Sequence, residues 1–217
     1  MKIIKCKQGS PEWLQARLGV PTASEFDSII TSKGLKPSAS QAKYRARLMA
    51  EWYLGQPLDD ASSGFMQRGT GLEGEAVRWF EFETGLDTAE VGFCLRDEGD
   101  CGASPDRLVG DDGLLEIKCP SAETHMGYLL NGFDDYTLQV QGQLWVTGRQ
   151  FVYQLSYNPI IPSVLKRVER DDKIIAALAE HVPAFAASLA ECRAKLRAMR
   201  ADNAATVDAF RGEDVPF

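Results

Sequence analysis

Histidine is scarce in this chain, with only His125 and His181 among 217 residues. A zinc site built from several imidazoles, or a nuclease relying on a histidine base and a histidine metal ligand, has few residues to use. Both are read as structural or solvent-exposed. The five cysteines, at 6, 94, 101, 119 and 192, are odd in number and include no Cys-x-x-Cys pair. That pattern argues against a disulfide framework, a zinc ribbon and a cysteine-held iron–sulfur cluster, and leaves reduced thiols as the default. No stretch reaches the roughly 20 apolar residues that span a bilayer, and Met1-Lys2-Ile3-Ile4-Lys5 lacks the apolar core of a signal peptide. A soluble, cytoplasmic protein with no membrane partner is expected. Linkers of low complexity and internal repeats are missing too, and 44% hydrophobic residues suffice for one core. The expectation is a single domain over residues 1–217, with about 203–217 as a weakly structured, flexible tail. A basic surplus is also absent, since the net charge is -7. That disfavours coating nucleic acid over the whole surface and leaves room for a local basic channel.

What is present reads as helices around a group of strands. Ser10-Pro11-Glu12 supplies an N-cap, a first-turn proline and a dipole-favoured acid for a short helix that Gly19 closes, with Arg17 in its last turn. Thr22-Ala23-Ser24-Glu25 has the form of a capping box opening a second helix, whose first turn is a potential anion site. The spacing of Tyr44, Leu48 and Trp52 predicts a third helix from about Ser40 to Leu54, with Lys43, Arg45 and Arg47 off that stripe. Thr70-Gly71-Leu72-Glu73 reads as the start of a fourth, ended by Thr84-Gly85. Strands are predicted at Val91–Arg96, Gly102–Val109 and Leu114–Cys119, then at Gln150–Tyr157 and around Val164–Arg170. Between them a helix from about Asp135 to Thr147 carries Tyr136, Val140 and Leu144 on its stripe, with Gln139 and Gln143 on a polar flank. A long helix from about Asp171 to Arg200 follows, with Pro183 expected to kink or interrupt it. The order implies an α/β fold, a mixed central sheet flanked by helices.

The chemistry concentrates in SPDRLVGDDGLLEIKCP, residues 104–120. Strand alternation sends Leu114, Glu116 and Lys118 to one face and Leu115, Ile117 and Cys119 to the other. If Asp111-Asp112-Gly113 is a three-residue loop with Gly113 left-handed, Leu108 faces Glu116 and Asp106 faces Lys118. Two carboxylates and an amine then converge. Carboxylate oxygens suit Mg2+, which takes a couple of them and keeps other positions for water and phosphate, and a neighbouring ammonium can hold an oxyanion. These are the parts of a metal-assisted phosphodiesterase. The same residues also fit a surface hairpin with cross-strand charge pairs, and spacing alone does not separate the two.

Four segments in order carry a resemblance: RLGVPTASE (Arg17 to Glu25), Glu73 ahead of FEFETG, ASPDRLVGDDGLLEIKCP, and YTLQVQGQLWVTG (Tyr136 to Gly148). Together they resemble the lambda-type phage exonucleases, grouped with YqaJ-like viral recombinases in the PD-(D/E)XK nuclease superfamily, over roughly Gly9 to Val182. The resemblance implies a restriction-endonuclease-like core. It implies that Asp106, Glu116 and the Ile117 backbone carbonyl ligate Mg2+, with Mn2+ as a substitute, that Lys118 is the motif lysine, and that Glu73 contributes from the preceding helix, directly or through water. Arg17, Ser24, Ser104 and Gln139 match positions that hold the 5′-phosphate of the digested strand, and Tyr136 belongs to the superfamily's Q/Y helix motif. The bare residues allow other roles. Glu73 fits N3 of the Thr70 capping box, Arg17 can serve its own helix dipole, Ser24 can be an ordinary first-turn residue, Gln139 can lie on a solvated flank, and Tyr136 can simply pack. Lys33, Lys36, Lys43, Arg45 and Arg47 would contact DNA backbone if they face the cleft, or else form a solvated face. The chain departs from the family in reading Arg107 where Ser-Pro-Asp-Gly is frequent.

The implied activity is 5′→3′ digestion of one strand of linear double-stranded DNA from 5′-phosphorylated ends, leaving a 3′ single strand. The resemblance further implies a homotrimeric ring threaded by DNA, a single-strand-annealing recombinase as partner, and a phage or prophage protein working in the bacterial cytoplasm. A structure-selective endonuclease of the same superfamily is the alternative enzyme. A non-catalytic DNA-end-binding scaffold is the alternative of another class, and it would be marked by a lost metal carboxylate.

Overall fold

The computed structural model describes residues 1–58, 64–133 and 136–212. Its centre is a five-stranded mixed sheet of β2 (Thr88–Glu90), β5 (Arg107–Val109), β6 (Gly113–Lys118), β7 (Phe151–Ser156) and β8 (Val164–Glu169), side by side in that order. Within this sheet β6 and β7 pair in parallel and the other neighbours antiparallel. A parallel pair needs a crossover, and α4 (Ala122–Asn131) and α5 (Thr137–Thr147) lie on that connection. Because helices cover both faces, β6 is buried on both. Leu115 and Ile117 pack on Ala76, Val77 and Phe80 of α3 (Gly64–Thr84), while Leu114 packs on Val140 and Leu144 of α5.

Behind α5 lies a second apolar layer. It joins Phe26, Ile29 and Ile30 to Tyr44 and Leu48 of α2 (Gln41–Leu54) and to Leu178, Val182, Phe185 and Leu189 of α6 (Asp172–Gly212). A small sheet, β1 (Lys2–Ile4) beside β3 (Phe93–Leu95) beside β4 (Gly102–Ala103), closes the side near α1 (Pro11–Arg17). Gly142 sets how closely α5 approaches this layer, because a Cβ there would meet Phe26 Cδ2 at 2.5 Å and Ala23 Cβ at 3.1 Å. Gly142→Ala is expected to destabilise the fold by about 1–3 kcal/mol through overpacking, read as a lower urea midpoint.

Several expectations are corrected. The strand expected at Gly102–Val109 splits in two, because Ser104-Pro105-Asp106 crosses from the small sheet to the large one and Pro105 cannot donate to a ladder. The hairpin register shifts by two residues. Gly110 (φ 52), not Gly113, takes the left-handed position, so Val109 pairs with Gly113 and Leu108 with Leu114. Gly113 is instead required by proximity, since a Cβ there would meet the Phe151 ring at 2.4 Å. Thr22 opens a 3-10 helix, Ala23–Ser28, without a capping box. Its N–H, which the box glutamate would take, already donates to Tyr44 Oη at 3.1 Å. Glu25 pairs with Arg47 instead, at 3.0 Å.

Helix α3 begins at Gly64, so Thr70 is not its start and Glu73 lies inside it. The expected beginning of the α5 helix at Asp135 lies outside the described residues, and Tyr136 is its N-cap. Pro183 leaves α6 continuous, since Val182, Phe185 and Leu189 keep both sides of the proline packed in the core. The helix also passes Asp202 and reaches Gly212. Its Asp172–Met199 portion is long and apolar enough to cross a membrane by length and composition, yet its apolar side enters the core described above. Strands β1 and β2 and helix α4 carry too little periodicity to be anticipated.

Candidate active site

The large sheet delivers its chemistry at the end of β6. Glu116, 3% exposed, points to the α5 side. There Gln139 Nε2 donates to its Oε1 and Gln143 Nε2 to its Oε2, both at 2.6 Å. Lys118, two residues on and so on the same face, places Nζ 2.6 Å from Glu116 Oε1 and 3.4 Å from Gln139 Oε1. The ammonium also lies 4.5 Å from the Tyr136 ring centroid, a cation–π contact. Tyr136 thus contributes its ring face to the lysine from the N-cap of α5, outside the buried stripe of Val140 and Leu144.

The shifted register changes Asp106's neighbour. With Arg107 opposite Leu115, the next position sets Asp106 opposite Glu116 and not Lys118. Its Oδ2 accepts from the Ile117 N–H at 2.5 Å. Gln8 steadies this crossing, donating through Nε2 to Pro105 O at 2.7 Å and Val91 O at 3.0 Å. Desolvation, then the charge of Glu116, push the Asp106 carboxyl well above the usual range, against the Ile117 N–H and Lys118. Desolvation also raises Glu73, which Arg107 opposes and Glu116 and Glu90 reinforce. For Lys118, burial works to lower the value, but Glu116 and Asp106 outweigh it and the ammonium is held above its ordinary range.

Three carboxyl groups therefore feel one another's charge, and a small divalent cation would relieve that repulsion. Among the described residues no three His, Cys, Asp or Glu side chains are gathered as a metal cage. A hard cation that keeps several waters does not need one, and Asp106, Glu116 and the Ile117 carbonyl are oxygen donors of the right kind. The donor set fits Mg2+ or Mn2+. Glu73 stands within electrostatic range of this set rather than in it.

A second feature adjoins the first. A cavity of about 310 Å³ is lined by Trp13, Arg17, Thr22, Glu25, Tyr44 and Arg47, among others. The Arg17 guanidinium stacks 4.0 Å from the Trp13 ring centroid, and Trp13 Nε1 donates to Ser104 Oγ at 2.9 Å. Burial pulls the Arg17 value down, with Tyr44 and Glu25 opposing, so this is a cation short of solvent. Ser24 is exposed, its Oγ 3.2 Å from Thr22 Oγ1. Of the four proposed phosphate residues, Arg17 and Ser104 are thus joined through Trp13, Ser24 adjoins Thr22 on the cavity wall, and Gln139 belongs to the carboxylate cluster. The basic set also divides. Arg47 faces the cavity, Arg45 Nη1 turns to Ser188 Oγ of α6 at 3.1 Å, and Lys33, Lys36 and Lys43 are exposed.

Sequence reasoning passed over Gln143, Trp13 and Gln8. A signal existed for Gln143, a second amide one turn from Gln139 on a helix whose next residue, Leu144, is core. None existed for Gln8, whose partners are 83 and 97 residues away.

Residues 12–150 match the YqaJ-like viral recombinase domain. No curated protein matches the chain. Among solved structures, the alkaline exonuclease LHK-Exo from Laribacter hongkongensis is similar at 38% identity and a TM-score of 0.80, covering 89% of this chain and 99% of that one. LHK-Exo in complex with dAMP is similar at the same identity and coverage with a TM-score of 0.81. A phage-related exonuclease from Haemophilus somnus 129PT, at 15% identity, shares the fold with a TM-score of 0.62 over 82% of this chain and 96% of its own. The mixed sheet flanked by helices is the restriction-endonuclease-like core of these neighbours. With the family domain spanning most of the chain and a full-length likeness to an alkaline exonuclease, the chain belongs to the YqaJ-like viral recombinase family as a nuclease of the phage exonuclease type.

Proposed function

We propose that the chain is a divalent-cation-dependent 5′→3′ exonuclease that digests one strand of linear double-stranded DNA from 5′-phosphorylated ends. The observation that carries this reading is adjacency. The Asp106–Glu116–Lys118 cluster and the Arg17–Trp13–Ser104 group are separated along the chain by Pro105 alone. Asp106, Glu116 and the Ile117 carbonyl would hold Mg2+, or Mn2+ in its place. When bound, the cation supplies Lewis-acid polarisation of the scissile phosphate and a water acidified for attack. Lys118 brings a fixed ammonium to the charge that develops on the phosphoryl oxygens, and Glu73 offers an acceptor to the attacking water. Gln139 steadies both Glu116 and Lys118.

Arg17 offers a planar fork to a terminal phosphate, with the Ser24 and Ser104 hydroxyls as further donors. Fixing the end places the scissile bond at a set distance from it, which makes the enzyme an exonuclease. Arg47, Lys33, Lys36 and Lys43 supply contacts to backbone without base readout. The 3′ strand left behind would be passed to a single-strand-annealing recombinase, and a homotrimeric ring would let a chain of net charge -7 present its basic residues inward.

Arg17→Ala tests the pocket on linear duplexes carrying 5′-phosphate or 5′-hydroxyl ends with Mg2+. The preference for phosphate is expected to fall by about 10–100-fold, the worth of a charge-assisted pair of hydrogen bonds, while Mn2+ binding is retained. An unchanged preference would refute the assignment. Digestion of circular duplex without ends would favour the endonuclease reading instead.

A further inference from the structure

Gln143 is 1% exposed, on the stretch of α5 that packs against the sheet. Its Nε2 donates to Glu116 Oε2, and its Oε1 is buried with no partner among the described residues. A buried amide with an unsatisfied oxygen is unfavourable, and an apolar side chain of the same length would suit a stretch of helix whose Val140 and Leu144 are core. What the amide does is confined to one bond.

That bond is not duplicated. Among the described residues, Lys118 and Gln139 both address Glu116 Oε1, and Gln143 alone addresses Oε2. The last torsion of a glutamate is broad, so a strand that fixes the Glu116 backbone does not fix the plane of its carboxylate. Two amides one turn apart on α5 grip the two oxygens separately and do fix it. We propose that Gln143 is a positioning residue that sets the carboxylate plane of Glu116 for a divalent cation. The inference rests on the metal-dependent reading above and goes beyond it, since no ligand of that reading is Gln143.

Gln154 provides the contrast. It is 2% exposed and stands in register beside Glu116 on β7, yet its Nε2 has no partner among the described residues. It has the same burial and belongs to the same layer, without a bond to Glu116. In the full-length protein, Gln143→Met is expected to weaken Mn2+ affinity, read by electron paramagnetic resonance of free Mn2+ without DNA, by about 10–100-fold. The kcat on 5′-phosphorylated duplex should fall by a similar factor while KM for ends stays within about twofold. Gln154→Met should leave both Mn2+ affinity and kcat near the wild-type values. Gln143→Asn keeps an amide but withdraws it by one methylene, and serves if the Met variant loses its cooperative melt; it should show the same loss in smaller degree. The proposal is overturned if the Gln143 variants bind Mn2+ as the wild type does, or if Gln154→Met loses as much as Gln143→Met. A wild-type protein that takes up no Mn2+ would instead overturn the metal-dependent reading itself.

Discussion

Asp106→Asn is expected to abolish DNA digestion while the folded protein persists. Asparagine keeps the shape and an oxygen that can accept from the Ile117 N–H, but it removes one of two carboxylates that face each other across β5 and β6. Metal-derived stabilisation of several kcal/mol, at tenfold per 1.4 kcal/mol, makes the expected loss about 10³-fold or more. Stability should move the other way. The Asp106 carboxyl is raised by desolvation and by Glu116, so the folded state holds a proton to higher pH than the unfolded chain, whose Asp titrates near about 4. Its contribution is full below the unfolded value and is lost as pH rises through the folded one. At neutral pH without divalent cation, the Asn variant should therefore melt higher than wild type. Added Mn2+ should raise the wild-type melting temperature and leave the variant's unchanged. Retained digestion by Asp106→Asn would sink the metal assignment.

Lys118→Ala is expected to separate turnover from binding. The ammonium adjoins Glu116 and the Tyr136 ring, where it can meet developing negative charge, whereas the cavity around Arg17 is built from other elements. Single-turnover digestion should slow by about 10²–10³-fold, as for removal of one oxyanion donor, with affinity for DNA ends nearly unchanged. Loss of affinity with turnover preserved would remove Lys118 from the chemistry. The pH profile gives a second reading. Because Glu116 and Asp106 outweigh burial and hold the ammonium above its ordinary value, it stays charged beyond the pH at which an ordinary lysine loses its proton. An alkaline limb below that pH belongs to another group.

Much of this site was legible because strand alternation is rigid. Once Leu114–Lys118 reads as a strand, Glu116 and Lys118 must share a face, and they do. The register was not legible. It depended on which of two glycines, three residues apart, adopts the left-handed conformation, and the size of Phe151, from a strand far along the chain, decided the role of Gly113. Local signals also misled where tertiary partners outbid them. The apparent capping box at Thr22 yields to the Tyr44 hydroxyl, and the one at Thr70 lies within a helix already under way. The polar flank of α5 illustrates the remaining gap. Amphipathic reading assigns amides to solvent, whereas Gln143 is directed inward by a carboxylate that only the folded sheet brings to it.

The crossing from the small sheet to the large one acts as a gauge. Ser104 follows the small sheet and Asp106 precedes the large one, so the Cα atoms that carry the hydroxyl Trp13 holds and the carboxylate facing Glu116 are two peptide units apart, at most about 7 Å. That length is comparable with the separation of neighbouring phosphates on one strand. Pro105 fixes one backbone torsion of the span and Gln8 holds its carbonyl at 2.7 Å. On the exonuclease reading proposed above, a residue inserted here is expected to lengthen the ruler, and the stride of the enzyme, not its strength, would be what changed.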